Sequence, residues 1–168
     1  DNVAASVLGS VVTATIGSDG VTRAVRIEIP DDFAVAVVCP GFELPTNHMR
    51  SVLPDCYSRE DAIFNLQRAT LLVAGLATGN REAFPAAFED RLHQPHRMAQ
   101  VPGMEAILAL RAPGLLGCAL SGAGPAILVF YEEGADSVLD LVRDEFSRAG
   151  QQSEVVVREV DREGLQIQ

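Results

Sequence analysis

Near the middle of the second half of this sequence, two apolar runs flank a short loop of glycines and proline. The first run is Leu115–Leu120, the loop Ser121–Pro125 reads Ser-Gly-Ala-Gly-Pro, and the second run is Ile127–Phe130. Short apolar runs bounded by Gly and Pro are typical of buried strands. Because glycine has no Cβ, such a loop can bring bare backbone N–H groups close to an anionic ligand. A tight hairpin whose glycines serve only the turn fits the same pattern.

The composition indicates a globular protein and excludes several classes of function. Of the 168 residues, 48% are apolar, which is enough for a proper core. The formal net charge of −10 argues against binding to nucleic acid or to an anionic membrane surface. No apolar run approaches the length that spans a bilayer. All 13 basic residues are arginine, so a Walker-type Gly-Lys-Ser/Thr phosphate loop and Schiff-base chemistry on a lysine are excluded.

The cysteines indicate a reduced compartment. Cys39, Cys56 and Cys118 are odd in number, widely spaced and form no Cys-x-x-Cys pair. A cytoplasmic protein is the simplest interpretation of this pattern. Cys39 and Cys118 stand in apolar surroundings, where a thiol usually packs like a small apolar side chain.

Three segments have the periodicity or end signals of helices. Ser58 opens a capping-box-like sequence, and apolar residues then recur at helical spacing as far as Gly79. Met104–Arg111 is also predicted to be helical. Ala135–Ala149 is amphipathic and is followed by Gly150, a typical C-terminal helix signal.

The predicted strands favour an α+β fold. Val11–Ile16 and Val21–Ile29 are joined by a Gly-Ser-Asp-Gly turn, which predicts a hairpin. Phe33–Cys39 is wholly apolar and is predicted to be a central strand, and Glu154–Val160 is the last strand. Helices and strands alternate irregularly, without repeated βαβ units. We therefore expect helices packed on one face of a mostly antiparallel sheet.

Other segments give weaker expectations. Thr46 is in a position to cap a short helix that has Arg50 on the same face one turn later. Arg81–Phe88 is predicted to be a short helix. Pro95 is expected to interrupt regular structure, because proline cannot occupy a helix interior without breaking it.

Two familiar kinds of catalytic site are poorly supported. His93 and His96, with Asp90 nearby, lack a third strong ligand for a metal ion. Ser121 lies in Ser-Gly-Ala-Gly rather than Gly-x-Ser-x-Gly, and the segment after it is predicted to be a strand instead of the helix that a nucleophile elbow requires.

Two arginines in irregular segments are better candidates for ligand binding. Arg50 follows a Pro-Thr loop, and Arg97 ends a His-Gln-Pro-His-Arg turn. A guanidinium group binds a carboxylate or a phosphate through two parallel hydrogen bonds. Both arginines could equally form ordinary surface ion pairs.

Five segments in order resemble the homoserine kinases, a branch of the GHMP small-molecule kinases. The Leu120–Pro125 segment resembles the third GHMP motif, whereas the first and fourth segments point to the homoserine branch. The segments are Asp-Asn-Val-Ala-Ala at residues 1–5, Pro-Thr-x-x-x-Arg at 45–50, the helix Tyr57–Arg68, Asp-x-Leu-His-Gln-Pro-x-Arg at 90–97, and Leu120–Pro125.

The resemblance implies a fold, a reaction and a set of site residues. It implies a ferredoxin-like GHMP kinase C-terminal domain, and transfer of the ATP γ-phosphoryl group to the hydroxyl of L-homoserine in threonine biosynthesis. By position, Asn2 would contact the substrate near its reacting hydroxyl, and Thr46 would lie beside the substrate and the transferred phosphate. Arg50 and Arg97 would bind the carboxylate. Backbone contacts to phosphate and substrate would come from the loop residues Gly122, Ala123 and Gly124. The resemblance implies no metal ligand on this chain.

One departure from the family concerns ATP. The Pro-x-x-x-Gly-Leu-Gly-Ser-Ser-Ala motif, which in the family binds ATP and Mg²⁺, is not in this sequence, and the chain begins at Asp1 without methionine. We therefore expect a piece of a longer enzyme that is inactive by itself, with ATP and Mg²⁺ bound mainly by an N-terminal part. Residues 1–30 would end the N-terminal kinase domain, and residues 31–168 would form the C-terminal domain.

Two rival interpretations stay open. Another GHMP kinase, such as one acting on mevalonate, would also bind a carboxylate, so only the 90–97 segment separates it from the homoserine branch. A non-catalytic domain that binds an amino acid without ATP fits the missing phosphate loop. Family precedent favours a homodimer.

Overall fold

The computed structural model describes residues 2–166. Of Asn2, only the backbone is described. The helices and strands alternate irregularly along the chain, with single 3-10 turns between some of them. The helices are Asn2–Leu8 (α1), Thr46–Ser51 (α2), Arg59–Thr78 (α3), Gln94–Arg97 (α4), Met104–Ala109 (α5) and Ser137–Arg148 (α6). The strands are Val11–Ile16 (β1), Thr22–Ile27 (β2), Phe33–Pro40 (β3), Leu115–Leu120 (β4), Ile127–Glu132 (β5) and Ser153–Arg158 (β6).

The main sheet has the strand order β4-β5-β3-β6, and all its neighbouring pairs are antiparallel. β3 lies between β5 and β6, with Ala36 opposite Val129 on one side and Val157 on the other. This confirms that the apolar run at 33–39 is a central strand. Strand β4 lies at one edge of the sheet, so one side of its backbone has no strand neighbour.

The connections between these strands give a ferredoxin-like unit. In chain order, β3, the helical segment ending in α5, β4, β5, α6 and β6 form a β-α-β-β-α-β arrangement with the sheet order stated above. The predicted α+β class and the mostly antiparallel sheet are therefore confirmed.

Helices cover both faces of this sheet, not one face as expected. Ala36 and Val38 of β3 belong to a buried cluster that includes residues of α5 and α6. Phe33 and Val35, which point the opposite way, pack in a second cluster with Leu76 of α3. Because β3 is apolar at every position, both of its faces need cover, and a single helical layer could not provide it.

Strands β1 and β2 form a separate antiparallel hairpin, as the sequence predicted. Its turn contains Gly20 at a φ of 73°, a left-handed conformation that glycine adopts at little cost. The expected domain boundary near residue 30 falls between this hairpin and the main sheet and stays a prediction.

The long helix α3 begins and ends as predicted, and α6 lies within the predicted segment 135–149 but begins two residues later. Ser58 is the N-cap of α3, and its hydroxyl accepts the backbone N–H of Asp61 at 3.0 Å. Gly79 ends α3 at a φ of 69°. Helix α6 buries Val142 and Phe146 against the sheet. Within residues 2–166, no helix is both long and apolar enough to cross a bilayer.

The predicted helix over Arg81–Phe88 is wrong. The segment forms two separate 3-10 turns, Arg81–Ala83 and Ala86–Phe88. Pro85 lies between them and has no N–H to donate, so an α-helix cannot continue through this position.

Candidate functional site

Helix α2 presents two of the predicted site residues, Thr46 and Arg50, one turn apart. Pro45, not Thr46, is the N-cap: its φ and ψ of −60° and 128° are extended, and its carbonyl accepts the N–H of Met49 at 3.1 Å. The predicted capping role of Thr46 is therefore wrong, because the chain enters the helix one residue earlier. Within the described residues, the exposed side chains of Thr46 and Arg50 have no hydrogen-bond or ion-pair partner.

Helix α2 is anchored by the residues between Thr46 and Arg50. Met49 is fully buried, at 0% exposure, in the main cluster between the sheet and helices α5 and α6. Next to it, His48 Nε2 lies 3.0 Å from Gln100 Oε1. Arg50 therefore stands on a helix whose own position is fixed by packing.

Helix α4 lies in the segment where Pro95 was expected to interrupt regular structure. The helix begins at Gln94, with Pro95 as its second residue. Proline is compatible with the first helical turn because the N–H it lacks would have no intrahelical partner there. The expectation that Pro95 interrupts regular structure is therefore wrong. Pro95 lies in the first turn of the helix that ends with Arg97.

Asp90 organises the chain before α4. Its carboxylate accepts the backbone N–H groups of Leu92 at 2.8 Å, His93 at 3.0 Å and Gln94 at 2.6 Å. Asn65 of α3 donates its side-chain amide to the same carboxylate at 2.6 Å. Burial by itself would raise the pKa of Asp90, but the four hydrogen bonds together outweigh it and the pKa lies below its ordinary value.

Arg97 joins α2 to the glycine loop. Its side chain is only 8% exposed, yet it has no acidic partner within the described residues. Nε donates to the carbonyl of Met49 at 3.0 Å, and Nη1 donates to the carbonyl of Gly122 at 3.2 Å. A charged donor on a backbone carbonyl makes a stronger hydrogen bond than a neutral one. Arg97 therefore lies between Met49, the residue before Arg50, and the loop that contains Gly122.

The loop after β4 joins two antiparallel strands, and two of its glycines adopt a left-handed backbone conformation. Gly122 and Gly124 have φ values of 60° and 85°, in the left-handed region. The loop is closed by two internal hydrogen bonds, from Ser121 N–H to Ala126 O at 2.8 Å and from Gly124 N–H to Ser121 O at 3.0 Å. Within residues 2–166, the N–H groups of Gly122 and Ala123 have no acceptor. They are available to an anionic group of a ligand.

Gln94 is a site residue that the sequence analysis missed. Its Oε1 accepts the N–H of Leu120 at 2.8 Å, and its Nε2 donates to the carbonyl of Phe88 at 3.2 Å. Gln94 stands in the Asp-x-Leu-His-Gln-Pro-x-Arg segment of residues 90–97, but the sequence analysis assigned no role to it.

The structure thus links three segments that carry predicted site residues. Arg97 contacts both the helix of Thr46 and Arg50 and the loop of Gly122, Ala123 and Gly124. The side chain of Asn2 and all of Asp1 lie outside the described residues. The substrate contacts assigned to these residues stay predictions.

Some residues of the poorly supported sites have contacts within the fold. In the described part of the chain, no group of three or more His, Cys, Asp and Glu residues could hold a metal ion. The ring of His96 lies against Tyr57, with the ring centroids 5.9 Å apart. Burial raises the pKa of the Cys118 thiol to about 12, so this thiol stays protonated near neutral pH.

Comparison with known proteins assigns this fold and site to a class. The family model described as GHMP kinases C terminal matches residues 72–148. The crystal structure of homoserine kinase from Cytophaga hutchinsonii superposes with a TM-score of 0.85 at 25% identity, over 96% of this chain and 52% of that one. The chain contains a GHMP kinase C-terminal domain.

Two similar relatives are both named homoserine kinase. The chain is 58% identical to a homoserine kinase of Solibacter usitatus, over 99% of this chain and 55% of that protein. It is 38% identical to a homoserine kinase of Deinococcus radiodurans, over 100% of this chain and 55% of that protein. The chain therefore spans about half the length of these relatives.

Proposed function

We propose that this chain is the substrate-binding half of a homoserine kinase. The reaction is transfer of the ATP γ-phosphoryl group to the side-chain hydroxyl of L-homoserine, with O-phospho-L-homoserine as product. The main support is the 58% identity to a protein of that name over 99% of the chain. The geometry of Arg97 agrees, since it holds two candidate ligand-binding segments together.

In this proposal the cationic and N–H groups of the site bind the two ends of the amino acid. Arg50, exposed and without a partner in the described residues, binds the carboxylate together with Arg97. Thr46 lies beside the hydroxyl that reacts. The free N–H groups of Gly122 and Ala123 bind oxygen atoms of the substrate or of the transferred phosphate.

Such a site can contribute to catalysis without a strong base. Phosphoryl transfer depends mainly on the alignment of the two reactants and on stabilisation of the developing charge. The described residues supply alignment through two arginines and a loop of backbone donors. Asn2, by resemblance, would position the hydroxyl.

This proposal assigns the binding of ATP and Mg²⁺ mainly to another part of the enzyme. The sequence lacks the Pro-x-x-x-Gly-Leu-Gly-Ser-Ser-Ala motif that binds them in the family. ATP would supply the phosphoryl group from a site formed mainly by another part of the protein. We accordingly propose that this chain by itself does not turn over ATP.

The same proposal assigns the enzyme to the cytoplasm and gives its binding partners. Cys39, Cys56 and Cys118 are all free thiols, which agrees with a reducing cytoplasm. The proposed partners are L-homoserine, ATP and a second copy of the protein, without nucleic acid or membrane.

The deciding experiment is a coupled assay of ADP release by the full-length protein. L-Homoserine, mevalonate and a sample without acceptor are compared in parallel. ADP formation with homoserine alone supports the proposal. ADP formation with mevalonate alone would assign the chain to the mevalonate-type alternative. No ADP with any acceptor, together with calorimetric binding of an amino acid, would indicate a binding domain without catalysis.

A further inference from the structure

Among the described residues, the buried amide and charged side chains are confined to one short helix. They are Gln94 and Arg97, each 8% exposed, three residues apart and therefore on the same side of α4. Burial of a polar group is unfavourable unless its hydrogen bonds are made. Each side chain makes one hydrogen bond to the stretch from Leu120 to Gly122 and a second one to a backbone carbonyl elsewhere, that of Phe88 for Gln94 and that of Met49 for Arg97.

At the edge of the sheet, the side chain of Gln94 supplies a hydrogen-bond acceptor that a neighbouring strand would otherwise provide. Successive N–H groups along a strand point to opposite sides, and the N–H of Ser121 points inward to Ala126 O. The N–H of Leu120 therefore points outward from the edge strand β4, where no strand lies. Gln94 Oε1 accepts this N–H at 2.8 Å.

Arg97 continues the same line of contacts. Two residues beyond Leu120, the carbonyl of Gly122 is held by Arg97 Nη1 at 3.2 Å. The second polar atom of Gln94, Nε2, is used by the carbonyl of Phe88, so the amide cannot rotate without losing a bond. Helix α4 thus holds the end of β4 and the start of the loop through two side chains.

We propose that Gln94 is a positioning residue for the substrate carboxylate. It fixes the point where β4 becomes the glycine loop, and thereby sets the distance between the loop N–H groups and Arg97. Gln94 does not itself touch the substrate. This inference rests on the proposed homoserine kinase activity, because its kinetic consequence is a change in homoserine binding.

The test compares two Gln94 variants with a matched control in the full-length protein. Gln94→Met keeps the length of the side chain and removes both hydrogen bonds. Gln94→Glu keeps an acceptor for the N–H of Leu120 and loses the donor to Phe88. The control is Tyr131→Phe, which removes a hydrogen bond from a buried residue to Asp136, 3.2 Å long, away from the loop.

The expected result is a selective effect on homoserine. Gln94→Met raises the KM for homoserine by about tenfold or more, the factor that loss of one buried hydrogen bond makes in an equilibrium constant. The KM for ATP changes less than twofold, and Gln94→Glu shows a smaller rise than Gln94→Met. Tyr131→Phe leaves the KM for homoserine unchanged.

Hydrogen exchange gives a second readout that does not depend on activity. In Gln94→Met, amide exchange of the peptide spanning 115–124 becomes faster, whereas Tyr131→Phe leaves it unchanged. Faster exchange with an unchanged homoserine KM would overturn the positioning role. Unchanged exchange would overturn the hydrogen-bond link itself. If the wild-type protein does not phosphorylate homoserine, the proposed function fails, and the exchange experiment still decides whether Gln94 holds the loop.

Discussion

Replacing each of the two candidate carboxylate-binding arginines by methionine should separate a structural role from a binding role. Arg97 is buried and donates to two backbone carbonyls, whereas Arg50 is exposed and has no partner in the described residues. Methionine retains much of the side-chain volume and removes every donor. We expect Arg97→Met to reduce both stability and homoserine binding, and Arg50→Met to reduce binding alone.

The expected loss of unfolding free energy in Arg97→Met follows from the surroundings of the two carbonyls that Arg97 binds. A hydrogen bond from a charged donor contributes about 1.5–3 kcal/mol. Met49 is 0% exposed, so its carbonyl loses its bond with little replacement by water, whereas Gly122 is exposed and water can replace Arg97 there. The sum is a loss of about 2–4 kcal/mol in the free energy of unfolding for Arg97→Met. An exposed residue such as Arg50 should change it by less than about 0.5 kcal/mol.

The assay is urea unfolding and steady-state kinetics of the full-length protein and its variants. Arg143→Met is the control, because Arg143 is an exposed residue of α6 that pairs with Asp140 at 3.2 Å. Both site variants should raise the KM for homoserine and leave the KM for ATP nearly unchanged. An Arg97→Met protein that unfolds at the wild-type urea concentration with an unchanged slope would refute the reasoning about the two carbonyls.

Two further predictions concern neighbouring residues. The pKa of Asp90 is lowered by its four hydrogen bonds, so its carboxylate stabilises the fold above the ordinary pKa of about 3.9, and this stabilisation is lost as the pH falls through the lowered value. Acid titration of the unfolding free energy below about pH 4 should therefore be steeper for wild type than for Asp90→Asn, and equal slopes would contradict the prediction. Gly122→Ala places a side chain at a φ of 60°, where it meets no atom within 4 Å, and Gly134→Ala does the same at 83° in the turn after β5. Each should lose about 1–2 kcal/mol of stability from backbone strain, while only Gly122→Ala should raise the KM for homoserine; equal kinetics of the two variants would show that the loop does not bind substrate.

The parts of the fold that the sequence predicted are those with a strong local signal. Helix α3 has a serine N-cap and a left-handed glycine at its end, and both signals depend only on neighbouring residues. Strand β3 is apolar throughout, which predicted its central place in the sheet but not the helical cover on both of its faces. The face of the sheet that a helix covers depends on the path of the chain between strands. No periodic pattern in the sequence indicates this path.

The errors occur where a proline or a distant residue decides the conformation. Pro45 takes the N-cap position that Thr46 was expected to fill, and Pro85 separates two 3-10 turns. Pro95 starts a helix because Asp90 already holds the N–H groups in front of it. Gln94 was missed because its partner, the N–H of Leu120, lies 26 residues away and is a backbone group that any residue would have.

The double role of Arg97 is chemically consistent. A guanidinium group has five N–H donors. Two of them are used, one on Nε by Met49 and one on Nη1 by Gly122, which leaves the second Nη1 proton and both Nη2 protons. The second Nη1 proton and the Nη2 protons stay available to a carboxylate, while the Nε proton cannot take part. Arg97 can thus bind substrate with one end because its other donors fix its position, and a lysine, with a single charged nitrogen, could not do both.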